Sequence, residues 1–239
     1  MLSKSQIKLI TSLKQKKYRQ QYGFFVVEGV KTIRELLQSN SELQKLYATA
    51  SFNIDAKDEV IISDSDLKRI SFLTTPNKAL AIFKIPESKP IDNSGLIVAL
   101  DSIRDPGNLG TIIRLCDWFG VKELICSKET VDCFNPKVIQ ATMGSITRVN
   151  VSYMNLVPFL RGIETSVFGA FMEGENVYHK TLPKTGVLVM GNEANGVSKE
   201  VEAVITEKMS IPRFGDLQAT ESLNVATATA ILLSEFSRN

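Results

Sequence analysis

Apolar residues follow two rhythms along this chain, and the change between them falls near residue 95. Before it, short β-branched and aromatic runs alternate with helical stretches: Phe24–Glu28, Leu46–Thr49, Glu59–Ile62 and Asn77–Phe83 read as strands. Residues 3–22 read as a helix followed by a basic turn, with Ile7, Leu9, Ile10 and Leu13 forming a partial apolar face. Gly29 opens a second helix, Val30 to Gln38, in which Ile33, Leu36 and Leu37 share one side. Ser63 is placed to cap a third, with Asp66 at its third position in an acidic version of the capping box. This small mixed α/β module is complete by residue 84. Residues 85–94 hold Pro86 and Pro90 and show no usable period, so they read as a linker.

From residue 95 onward strand and helix alternate, as a parallel sheet requires. Strands are expected at 95–101, 122–126, 148–153, 166–170, 186–190 and 208–211, and helices at 109–119, 136–142, 155–162, 198–204 and 221–237. Three polar segments stand beside the carboxyl ends of these strands, where open α/β sheets build their sites. The first is Asn108 to Arg114, following a turn at Asp105-Pro106-Gly107-Asn108, with Asn108 at the N-cap position. The second is Val189 to Gly196, whose glycines let backbone amides approach a ligand closely. The third runs from Ile211-Pro212 to Glu221-Ser222-Leu223-Asn224-Val225-Ala226. Each polar residue also has a plain structural use: Arg114 and Asp117 as a surface pair, Glu193 as a solvated loop acid, Ser222 or Asn224 as helix caps.

Composition narrows the field without naming a function. The 239 residues are 44% hydrophobic and 23% charged, ordinary for a globular protein. A net charge of +2 is too mild to imply nucleic-acid binding, yet Lys4, Lys8, Lys14, Lys16, Lys17 and Arg19 all precede the first acid, Glu28. The run Lys14 to Tyr22 admits two readings, a solvated helix end or a phosphate contact with a stacking tyrosine. Cys116, Cys126 and Cys133 lack Cys-x-x-Cys spacing and read as buried free thiols. The odd count, with no secretory leader and no apolar run long enough to span a bilayer, points to a cytoplasmic chain without a membrane partner. His179 is the single histidine and reads as a surface residue, which argues against a metal site or a Ser-His-Asp triad.

DPGNLGTIIR, MGNEANG and IP followed by SLNVA, in that order, resemble the three motifs of the SpoU (TrmH-like) RNA ribose methyltransferases of the SPOUT superfamily. FFVVEGVKTIREL similarly resembles the substrate-binding module that precedes many of these catalytic domains. The resemblance implies an α/β fold: a C-terminal SPOUT-type parallel sheet tied in a trefoil knot, preceded by a small mixed α/β domain. It divides the chain into an RNA-binding domain (1–84), a linker (85–94) and a catalytic domain (95–239). It further implies a homodimer joined through the catalytic domains. The methyl donor would be S-adenosylmethionine, bound around Gly191, Ile211 and Leu223, and the acceptor a ribose 2′-hydroxyl of rRNA or tRNA. Asn108, Arg114, Glu193, Ser222 and Asn224 match the family's catalytic positions, with Arg114 mainly orienting and stabilising charge, or accepting the proton, and Glu193 positioning Arg114 or taking the proton. Lys14, Lys16, Lys17 and Arg19 are the expected RNA contacts. Two departures stand out: the 213–221 loop looks long, and Ala226-Thr227-Ala228-Thr229-Ala230 differs from the usual small-residue run. The rival reading is a non-catalytic RNA-binding or ribosome-assembly factor that keeps the fold. A nucleotide-dependent oxidoreductase fits less well, for want of Gly-x-Gly-x-x-Gly.

Overall fold

A computed structural model describes residues 2–215 and 222–238. The chain divides into two compact units, Met1–Ser88 with Asp132–Thr147, and Lys89–Val131 with Arg148–Asn239.

The first unit begins with two helices, α1 (Lys4–Ser12) and α2 (Lys16–Tyr22), where the sequence suggests one helix and a basic turn. Ser3 and Gln6 form a full capping box on α1. The break after α1 is held by Arg19, whose Nη1 donates to the carbonyls of Leu13 and Lys14, both at 2.9 Å. Helix α2 stops at Gly23, which takes the left-handed φ of 69° that terminates helices cheaply only in glycine. There follow β1 (Phe24–Glu28), α3 (Val30–Leu37), β2 (Leu43–Ala48), β3 (Glu59–Ile61), α4 (Asp64–Ile70) and β4 (Ala79–Lys84). Ser63 caps α4 by accepting from the Asp66 N–H, as expected. The strands lie in the order β1-β4-β2-β3, with β2 and β3 parallel and the other pairs antiparallel. Both faces of this sheet are covered: Val26, Leu80 and Ile82 join one core, while Phe25, Val27 and Phe83 join the other. That is why β1 reads as an unbroken apolar run rather than an alternating one.

The second unit contains β5 (Leu96–Leu100), α5 (Pro106–Trp118) and β6 (Glu123–Cys126). The chain then contributes α6 (Pro136–Thr142) to the first unit before returning. The remainder is β7 (Asn150–Tyr153), α7 (Leu156–Arg161), β8 (Val167–Asn176), β9 (Gly186–Met190), α8 (Lys199–Glu202), β10 (Glu207–Ser210) and α9 (Val225–Ser237). The six strands lie in the order β10-β8-β9-β5-β6-β7, and every pairing is parallel. This is the α/β parallel sheet the alternation called for. From β5 the order runs outward through β6 to β7, while β9 and β8 lie on its other side, so the β5/β9 edge is a switch point, the favoured place for a ligand. Ile97 to Leu100 and Val187 to Val189 are buried, a core that fixes the carboxyl ends of both strands.

Helix α5 starts at Pro106, not at Leu109. Asp105 is the true N-cap, accepting from the Asn108 N–H at 2.8 Å, and proline at the first turn loses no hydrogen bond. Leu109, Ile112, Ile113 and Cys116 form its buried stripe. Helix α9, expected from residue 221, is described from Val225 and packs against α5, with Phe236 meeting Phe168 edge-on at 5.2 Å. All three cysteines are buried free thiols, and burial pushes the Cys116 thiol up to about 12. No described helix is long and apolar enough to cross a membrane.

Candidate active site

With Asp105 as the cap, the Asn108 side chain is released from helix duty, half-buried at the carboxyl end of β5. Its amide donates from Nδ2 to Glu193 Oε1 at 2.9 Å, and its Oδ1 accepts from Asn224 Nδ2 at 2.9 Å. The order of this relay is forced. A carboxylate only accepts, so Glu193 takes the Asn108 NH2 group. Asn224 spends its Oδ1 on capping α9, accepting from the N–H groups of Ala226 and Thr227 at 3.0 and 3.3 Å. Only its NH2 group is left to face Asn108. Asn224 is therefore a helix cap and a member of the site at once, the two uses falling on opposite ends of one amide.

Glu193 is carried on the loop leaving β9. Gly191 opens that loop where no side chain fits: a Cβ there would lie 2.3 Å from both Gly196 C and Val197 N. Asn192 and Gly196 close it by exchanging backbone hydrogen bonds of 2.8 and 2.9 Å. Asn192, which no sequence motif singled out as a site residue, donates to the Ser102 carbonyl at 2.6 Å and accepts from the Ala194 N–H at 2.9 Å. Its signal is position alone, between a glycine and the acid.

Arg114 does not join this cluster. It lies six residues beyond Asn108, about 9 Å along the helix and on another side of it. It is exposed, and among the described residues no hydrogen bond or ion pair holds its guanidinium. Glu193 meets Asn108 rather than Arg114, and Asp117 pairs with Arg148 at 2.8 Å rather than with Arg114. Trp118, one turn on from Arg114, is 83% exposed.

Beside the polar relay is a cavity of about 1380 Å³, bounded by β8, the ends of β9 and β10, and α9. Gly191, Ile211 and Leu223, the expected donor-binding residues, all line it, as do Glu193, Ser222 and Asn224. Its inner wall is apolar, with Met209, Val225 and Leu232, while Asn192, Glu173 and Lys208 give it a polar side. A ligand with a flat heteroaromatic half and a charged half suits that division, so the residues present fit S-adenosylmethionine. Phe214, 82% exposed, lies at this cavity with its ring 6.2 Å from that of Tyr178. Part of the 213–221 loop, residues 216–221, lies outside the described residues.

In the first unit, Lys14, Lys16 and Lys17 are exposed, and Tyr18 and Tyr22 stack with centroids 6.2 Å apart. Arg19 corrects the expectation that it contacts RNA. It is 2% exposed, with Nε and Nη2 both donating to Asp132 Oδ2 and Nη1 to the two carbonyls, so it is buried away from any phosphate at the surface. A cation that reads from sequence as solvated is here a core ion pair. His179 is exposed, and no group of histidine, cysteine and acidic residues able to hold a metal occurs among the described residues.

Comparison with known proteins bears on both units. Residues 95–234 match the model of the SpoU rRNA Methylase family, and residues 4–81 match the MRM3-like substrate binding domain. The chain is 28% identical to the 23S rRNA (guanosine(2553)-2'-O)-methyltransferase RlmP of Bacillus subtilis over 91% of its own length and 90% of that protein's. A TrmH-family structure from Porphyromonas gingivalis is 40% identical, with a TM-score of 0.90 over 100% of this chain and 99% of the other. An AdoMet-bound rRNA methyltransferase from Sinorhizobium meliloti is 30% identical, with a TM-score of 0.88 over 100% and 97% of the two chains.

Proposed function

The chain belongs to the SpoU rRNA Methylase family, and on that premise we propose that it methylates a ribose 2′-hydroxyl of ribosomal or transfer RNA. Bound S-adenosylmethionine would supply a methyl group carried on a sulfonium, its bond to sulfur breaking as the bond to O2′ forms, with the hydroxyl proton passing to Glu193. The observation that carries the reading is the Glu193–Asn108–Asn224 relay at the edge of a cavity lined by Gly191, Ile211 and Leu223.

A ribose hydroxyl is a weak nucleophile, so the chain must orient it and stabilise the charge it develops. Asn108, fixed at both ends of its amide, and Ser222 hold the ribose and its phosphate. Glu193 Oε1 is engaged by Asn108, while Oε2, 3.5 Å from Asn192 Nδ2, is the freer oxygen and is the one that takes the hydroxyl proton. Arg114 acts as a fixed cation on the acceptor's phosphate or developing oxyanion. Lys14, Lys16 and Lys17 take phosphates beside the Tyr18–Tyr22 stack, assigning RNA recognition to residues 1–84 and chemistry to 95–239, with 85–94 as linker. We extend the proposal to a trefoil knot, a homodimer that covers Trp118 and a cytoplasmic location, the last supported by three free thiols.

The test is transfer of tritium from labelled S-adenosylmethionine into RNA from cells lacking the gene, followed by mapping of 2′-O-methyl positions. Transfer that Arg114→Ala abolishes, with donor binding retained in calorimetry, is the expected result. Donor binding without any transfer would instead make the chain a non-catalytic RNA-binding factor. Near-normal turnover in Arg114→Ala would remove the arginine from the mechanism.

A further inference from the structure

The residue that follows β5, Asp101, is a buried carboxylate that the chemistry above does not use; it is 5% exposed. Its N–H donates to the Met190 carbonyl at 2.9 Å, extending the β5/β9 pairing to the last residue before the Glu193 loop. Its Oδ2 accepts from the Ser198 N–H at 2.8 Å, and its Oδ1 from the Ser102 hydroxyl at 3.2 Å. Ser198 is where the loop ends and α8 begins, and its own side chain caps nothing.

Ser102 grips the other end of the same loop. It has a φ of 62°, a conformation that costs a non-glycine residue free energy and persists only when its surroundings impose it. Its N–H is held by Ser127 Oγ at 3.0 Å, and its carbonyl is thereby aimed at Asn192 Nδ2, 2.6 Å away. Asn192 Oδ1 in turn accepts from the N–H groups of Ala194 and Asn195, winding the loop around Glu193. Asp101 and Ser102 thus hold the loop at Ser198 and at Asn192, and Glu193 lies between those two points. A charged acceptor makes the stronger bond to an amide, which offsets the cost of burying it.

We propose that Asp101 is a positioning residue for Glu193: it locks the 192–198 loop so that Glu193 meets Asn108 in the orientation methyl transfer requires. This rests on the function proposed above. A displacement of about 1 Å at a reacting group costs on the order of 100-fold in rate, and that is the loss expected in kcat for Asp101→Ala. The rate is counted per molecule able to bind S-adenosylmethionine in calorimetry, so misfolded protein does not enter it. Asp101→Asn, whose amide can accept from Ser198 and donate to the Ser102 hydroxyl, retains kcat within about fivefold. In a Glu193→Ala background Asp101→Ala adds less than about threefold, because residues acting through one another are not additive. Should Asp101→Ala fail to fold, Asp101→Glu, which keeps the charge and changes the reach, takes its place in the same comparison. Full additivity with Glu193→Ala, or an undiminished kcat, overturns the proposal. Hydrogen exchange separates it from the functional reading: the amides of residues 192–198 lose protection in Asp101→Ala and regain it in Asp101→Asn. Unchanged protection overturns the clamp even if the wild-type chain transfers no methyl group.

Discussion

Replacing Asn224 by aspartate separates the two uses of one amide. The wild-type Oδ1 caps α9 through two N–H groups while Nδ2 donates to Asn108. Aspartate caps a helix as well as asparagine does, so Asn224→Asp leaves the melting temperature within about 2 °C. What it removes is the donor, setting a carboxylate oxygen against Asn108 Oδ1 and a second negative charge near Glu193. Water can replace the exposed donor in the free enzyme, whereas in the water-excluded transition state an acceptor left unpaired costs about 1–3 kcal/mol. If the Asn108 orientation matters only in the transition state, that converts at about 1.4 kcal/mol per tenfold into a fall in kcat of roughly 5- to 150-fold. Asn224→Ala loses the cap as well, destabilising by about 1 kcal/mol and lowering the melting temperature by about 3 °C. The assay pairs thermal denaturation with tritium transfer to RNA at saturating donor. Wild-type kcat in Asn224→Asp, or a melting temperature as low as that of Asn224→Ala, would refute the division of labour.

Further outcomes follow from the same geometry. Gly191→Ala forces a Cβ onto the Gly196–Val197 backbone, and calorimetry should show S-adenosylmethionine affinity falling at least about tenfold through the displaced loop. Arg19→Gln strands Asp132, so denaturant unfolding should register a loss of about 3 kcal/mol. Lys14→Gln, Lys16→Gln and Lys17→Gln together instead leave stability unchanged and flatten the salt dependence of RNA binding, by about 0.7 in slope for each single-strand phosphate no longer neutralised. Lys180 sits between Glu175 and Glu207, which raise its pKa, and its ammonium holds the Glu207 carboxyl below the ordinary range. A depressed acid stabilises the fold above its unfolded pKa, here near 4.5, and loses that contribution as pH falls through its folded value. Lys180→Met should therefore lower stability by about 1 kcal/mol near neutrality, a gap that closes as the medium is acidified below pH 4.5. A gap independent of pH would assign the loss to packing instead.

Much of the architecture follows from local pattern. The unbroken apolar runs at Leu96–Leu100 and Gly186–Met190 demand burial on both faces, and the helical periods between strands demand parallel pairing. Ser63 can be read as a cap because capping is settled within four residues. The start of α5 lies three residues before the expected one although its signal is equally local: Asp105-Pro106 is a cap followed by proline, and Asn108 is a second cap-type residue competing for the same role.

What the sequence by itself determined is therefore the elements, their order, and the three polar segments at the carboxyl ends of strands. Only the tertiary structure decided which polar atoms meet. Arg19 and Lys17 look alike in the sequence, yet one lies in the core on Asp132 and the other in solvent, because Asp132 arrives from a segment more than a hundred residues away. Asn108, Glu193 and Asn224 come from three strand ends brought together by the β5/β9 switch point and by the packing of α9 on α5. Arg114, the most conspicuous polar residue of its helix, was left outside their relay. Hydrophobic period is a property of neighbours along the chain and survives in the sequence; hydrogen-bond partnership between distant loops is a property of the assembled core, and no local pattern encodes it.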